Sequence, residues 1–113
     1  MAPDAIFIAP GAKLQGRAQI RQFVEGFQQA FPDVSHRVDR LLVAGATIIM
    51  EGFFSATHSG VLRTPGGEVP ATGRRVEVRE CQIVTVNQDR LAVSFSTYFD
   101  RFEMMLQLGL VGR

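Results

Sequence analysis

The sequence has little of what several functional classes require. It carries a single cysteine, Cys81, in 113 residues, which excludes an internal disulfide and any multi-cysteine metal cluster. A chain so poor in cysteine is expected in a reducing cytoplasm. No apolar run approaches the ~20 residues of a membrane span. The opening Met1-Ala2-Pro3-Asp4 lacks the basic and apolar regions of a signal peptide. A formal net charge of +1 offers no clustered positive surface for nucleic-acid phosphates, so neither nucleic acid nor membrane is an expected partner. Of the twelve basic residues only Lys13 is a lysine. Arg74, Arg75 and Arg79 come closest to a cluster, but Val76, Glu77 and Val78 separate them as along an exposed strand edge.

What remains is the composition of one globular domain over residues 1–113, 46% hydrophobic and 20% charged. Such a chain buries roughly two-thirds of its unfolded surface and folds without staples. Ile6-Phe7-Ile8 is a short apolar run ended by Pro10-Gly11. Over residues 17–31, Ile20, Phe23, Val24, Phe27 and Phe31 recur at spacings of three and four, which predicts a helix with one apolar face. Pro32 stops it. Strands are then expected over 34–44 and 47–57, joined at Gly45-Ala46. A loop from Thr64 to Gly73 follows, broken at Pro65-Gly66-Gly67 and Pro70. Two more strands are expected over 75–86 and 91–99, then a helix over 101–108 capped by Gly109. One helix before a run of antiparallel strands makes an α+β arrangement, a curved sheet folded over helices. Such a fold encloses a concavity where a small molecule can sit.

Polar residues on apolar strand faces are the most informative feature. Along residues 76–86 the even positions read Val, Val, Glu80, Gln82, Val, Val, on one face. A buried unpaired carboxylate is costly, and burial favours its neutral form. Glu80 is therefore paired, for instance with Arg79 or Arg101, turned outward by a bulge, or lining a wet cavity as an acid or base. On residues 91–99, Thr97 interrupts a face of Leu91, Val93, Phe95 and Phe99, as a strand former or as a ligand contact. Asp100 with Glu103 fits a capping box, with catalysis or ligand contact as the alternative. His36 and His58 have no partner at ligand spacing, so no metal is expected and hydrogen-bonded structural roles are the simpler reading. Glu51, on a face with Ile49 and Phe53, is a weaker candidate than Glu80. No nucleophile elbow or phosphate-binding glycine loop occurs.

Taken together, three segments resemble the SnoaL-like polyketide cyclase family of the NTF2-like superfamily. They are Ala56-Thr57-His58-Ser59-Gly60, the run from Pro70 to Val76, and Tyr98-Phe99-Asp100 followed by Leu106-Gln107-Leu108-Gly109-Leu110. Gly16-Arg17-Ala18-Gln19-Ile20-Arg21 is similar to the family's helix start, and the order holds from about residue 2 to 110. The resemblance implies a cone-shaped α+β barrel with a deep apolar pocket, and self-association through the sheet into a homodimer or larger assembly. It implies an intramolecular aldol closure without metal or cofactor, with an aspartate as acid/base. Two departures stand out. Thr97 falls where the cyclases carry that aspartate, and Gln82 falls near their pocket histidine. Threonine is no base near neutral pH. The chain also begins where the family's first helix normally ends, so the fold is expected without that helix.

The expected function is a pocket for a small apolar molecule with a cofactor-independent proton transfer, of isomerase, aldol cyclase or dehydratase type, on a carbonyl compound. Glu80 is the expected base and Asp100 a second catalytic candidate. Gln82, Thr97, Phe95, Phe53, His58 and Tyr98 are the expected ligand contacts. A non-catalytic binding module or a dimerisation module is the alternative. Self-association is expected from strand faces carrying Leu41, Val43, Cys81 and Ile83.

Overall fold

The computed structural model describes residues 1–64 and 67–111. Strands β1 (Ile6–Ala9) and β2 (Ala12–Gln15) form a small hairpin, and helix α1 (Arg17–Ala30) follows. β3 (Ser35–Ala44) and β4 (Thr47–Thr57) make a long hairpin. β5 (Leu62–Thr64) and β6 (Gly67–Val69) pair only with each other. β7 (Arg75–Val86), β8 (Ala92–Phe99) and helix α2 (Arg101–Leu108) complete the chain. The large sheet runs β2-β1-β8-β7-β4-β3, a curved sheet that does not close, with the two helices on it. No helix among the described residues is long and apolar enough to cross a membrane.

The 3.6-residue and two-residue periods account for the main elements. The hairpin β1–β2 was not expected beyond its Ile6–Ile8 run. β1 pairs in parallel with β8, a contact made across most of the chain that no local pattern encodes. Part of the expected 64–73 loop is strand β6; Pro65 and Gly66 lie outside the described residues.

A bulge in β3 between Val38 and Arg40 inserts one residue and so exchanges the faces beyond it. Leu41 and Val43 pair with Met50 and Ile48, on the same face as Gln82 and Val84. Cys81 and Ile83 point to the other face. The four residues expected to share exposed faces are thus divided between the two sides. Gly52 makes the bulge possible. A Cβ there would lie 1.8 Å from the Arg37 carbonyl oxygen, so the β3 backbone closes over β4 only because this position has no side chain.

The concave face is filled unevenly. At one end Phe31, Phe54, Ala56, Leu62, Val76, Val78, Met104 and Leu108 form the core. Helix α2 is fastened there by Asp100, whose carboxylate accepts from the Glu103 N–H at 3.1 Å, and by Gly109 in the left-handed conformation at φ 75°. The Gln107 side chain bonds both the N–H and the carbonyl of Glu77, at 2.7 and 2.9 Å, and so continues the β7 ladder with a side-chain amide. The middle of the concave face is hollow.

Candidate functional site

Register places the site. β7 and β8 pair with Gln82 opposite Thr97, Val84 opposite Phe95 and Glu80 opposite Phe99. Residues directly opposite in a sheet share a face, so the polar positions read from the two-residue period converge. Helix α1 lies across them. Its Phe23, Val24 and Phe27 roof the space, and β1 adds Phe7 and Ala9 to the walls. The result is a cavity of about 230 Å³ whose lining includes Glu80, Gln82, Phe95, Thr97, Phe99 and His36. It is small beside the usual range of about 300–1,000 Å³, and an apolar wall with few polar groups is typical of a small-molecule site. A second space of about 150 Å³, bordered by Val38, Met50 and Gly52 at the bulge, shares His36, Glu80 and Gln82 with the first. The three polar side chains form the partition between them.

Glu80 is 8% exposed. Its Oε1 lies 2.6 Å from Nδ1 of His36, and its Oε2 accepts from Nε2 of Gln82 at 3.3 Å. Neither expected arginine is its partner. Arg79 is on the opposite face over the Phe53 ring at 5.2 Å, and Arg101 reaches the Pro10 carbonyl at 3.4 Å. His36 reaches Glu80 diagonally across β4. It pairs with Phe54, while Glu80 pairs with Gly52, and the missing side chain at Gly52 leaves the path open. Sequence reasoning treated His36 as structural. The signal that could have found it is Gly52, a glycine in the middle of the long strand β4, which marks a bulge or a close approach.

Three expected contacts, Phe53, Tyr98 and His58, and the second catalytic candidate, Asp100, are not brought to the cavity. Phe53 faces the other side of the sheet, held between the Arg37 and Arg79 guanidiniums at 4.6 and 5.2 Å. Tyr98, opposite Cys81, is 55% exposed on that same outer side. Asp100 is occupied as the α2 N-cap. His58 is wholly buried in the core, with its ring 5.2 Å from that of Phe31. The Thr72 N–H donates to its Nδ1 at 3.2 Å, and burial holds its pKa below the ordinary 6.5. Glu51 faces outward opposite Cys81. No group of three or more potential metal ligands occurs among the described residues.

Known proteins agree with this architecture. IdmH of Streptomyces antibioticus, a candidate polyketide cyclase, has a similar structure at TM-score 0.74 and 27% identity, over 96% of this chain and 81% of that one. A candidate SnoaL-like polyketide cyclase from Jannaschia sp. CCS1 reaches TM-score 0.85 at 19% identity, over 99% and 75% of the two chains. A protein of ketosteroid isomerase-like fold from Catenulispora acidiphila, solved with trimethylamine, has TM-score 0.79 at 17% identity, over 98% and 78%. The last two speak to the fold alone. No curated protein matches the sequence. The family model for SnoaL-like polyketide cyclases matches residues 1–108. A curved open sheet with a helix roofing its hollow is thus joined to a sequence match over nearly the whole chain, and the protein belongs to the SnoaL-like polyketide cyclase family.

Proposed function

We propose that the protein binds a compact apolar carbonyl compound and moves a proton on it without a cofactor, in an isomerisation, aldol closure or dehydration. One observation carries this reading: a carboxylate, Glu80, lies in a largely apolar cavity and is already paired to an imidazole. Buried charge of this kind is costly for a structural purpose alone, and acid–base sites collect such pairs. The proton transfer depends on the Glu80 carboxylate, while Gln82 and Thr97 orient the substrate carbonyl. Phe95 and the helix side chains hold the apolar part. The free thiol of Cys81 fits a reducing cytoplasm as the setting.

The test uses β-tetralone, a bicyclic ketone with acidic α C–H bonds, and follows hydrogen–deuterium exchange by NMR. Wild-type protein should accelerate exchange over buffer. Glu80→Gln should lower the rate by about a hundredfold or more and leave affinity for the neutral ketone within a few-fold. Binding without any acceleration would favour the second reading, a ligand-binding module. That reading is supported by Thr97, which cannot serve as a base where the cyclases' aspartate falls.

The functional unit we propose is a homodimer or larger assembly. Leu41, Leu42 and Val43 are 59%, 52% and 68% exposed on the sheet-edge strand β3, an apolar strip of the kind that marks interfaces. Light scattering at tens of micromolar should give at least twice the chain mass; a monomer would sink the proposal.

A further inference from the structure

Within the proton-transfer reading just given, we infer that the group which takes the substrate proton is Nε2 of His36, and that Glu80 acts as its positioning residue. The argument begins with the two oxygens of Glu80. Oε2 accepts from Gln82, and Oε1 lies 2.6 Å from Nδ1 of His36. A carboxylate is an acceptor only, so the ring nitrogen facing it must carry hydrogen. Neutral imidazole has one N–H, and placing it on Nδ1 leaves the lone pair on Nε2. The partner of one ring nitrogen thus decides the chemistry of the other. Nε2 of His36 makes no hydrogen bond among the described residues, and the ring lines both cavities.

Exposure separates the two roles. Glu80 is 8% exposed and its oxygens are engaged, whereas the His36 side chain is 49% exposed. The buried partner orients, and the accessible one meets the substrate. In the step itself the α C–H bond breaks and its proton forms the Nε2–H bond. The electron pair of that C–H bond becomes the enolate double bond, and the carbonyl π pair moves onto oxygen. The imidazolium that results lies against the Glu80 carboxylate, 2.6 Å from Nδ1. Return of the proton from Nε2 to a carbon completes an isomerisation, or, with solvent deuterons, an exchange.

The second histidine supplies an internal contrast. The Thr72 N–H donates to Nδ1 of His58, which requires the opposite tautomer, with hydrogen on Nε2. The chain has only two histidines, so both are resolved in one spectrum. Two-bond proton–nitrogen correlation spectra of the full chain at a pH where both rings are neutral should show one ring of each tautomer, with His36→Gln assigning the signals. In Glu80→Gln the amide can donate as well as accept, so the His36 signal should become a mixture while that of His58 stays unchanged. In the β-tetralone exchange, His36→Gln should fall to the buffer rate, a loss of about a hundredfold or more. A His36 ring with hydrogen on Nε2 in the wild type overturns the inference, whatever the activity. So does exchange that survives His36→Gln and is abolished by Glu80→Gln, which would make Glu80 the base and leave the proton-transfer reading standing. Wild-type protein with the expected tautomer but no acceleration of β-tetralone exchange would remove the proton-transfer reading and, with it, the catalytic role assigned to Nε2.

Discussion

Two histidine neighbourhoods on one concave face show how the same residue type is put to different ends. His58 sits in the filled end, wholly buried, stacked near Phe31 and held through Thr72. Its Nε2 has no partner among the described residues, and burial disfavours its charged form. His36 sits at the hollow middle, half exposed, against a carboxylate. Packing leaves the first no room for a ligand and no counter-ion. The second has a cavity on either side of it and a counter-ion at hand. What separates them is what surrounds the ring: Phe31 and the core in one case, the empty position at Gly52 in the other.

The sharpest way to break this contrast is to cut a large side chain from each zone. Phe31→Ala in the core should cost about 3–5 kcal/mol, read by chemical denaturation. Phe95→Ala on the cavity wall should cost clearly less, about 1–2 kcal/mol, because its ring already borders empty space and fewer contacts are lost. Equal losses would mean that the hollow is as tightly packed as the core.

A smaller effect concerns pH. The folded pKa of His58 is lowered, so below about pH 6.5 the unfolded chain takes up a proton that the folded chain refuses. Stability should therefore decline as pH falls through 6.5, and continue to decline until the lowered folded value is reached. In His58→Gln this part of the slope should vanish, while His36→Gln should retain it. Thermal melts from pH 8 to 5.5 on the three proteins decide the matter; a slope that survives the loss of His58 would refute its origin there.

The smallest effect belongs to the helix that closes the filled end. Asp100→Ala should cost about 1 kcal/mol and Asp100→Asn a few tenths, as for an N-cap. Ketone binding should survive both, since the capping carboxylate is committed to the Glu103 N–H. Normal melting with lost binding would return Asp100 to the site.

Much of the site was legible one strand at a time. Glu80 and Gln82 share a face of valines by simple alternation, and Thr97 and Phe95 share another. The Asn87–Asp89 turn makes neighbours of the two strands, with the predicted face as their common wall. The contacts that failed, Phe53 and Tyr98, failed on the same rule: counted against Gly52 and Thr97, they alternate to the outer face. His58 followed the inner face correctly but fell at its filled end. How far along a strand the core ends and the hollow begins depends on where α1 and α2 lie, and no strand carries that information.

Helices α1 and α2, the four long strands, their order and the family are legible along the chain, because helix and strand periods and the caps at Asp100 and Gly109 act within a few residues. The pairing of Glu80 with His36 comes from the folded arrangement alone. That pairing joins residues 44 positions apart across an intervening strand. It requires a bulge in β3, a glycine beneath it and a sheet curved enough to turn both side chains inward. Each of these is a packing outcome, set by contacts between distant parts of the chain.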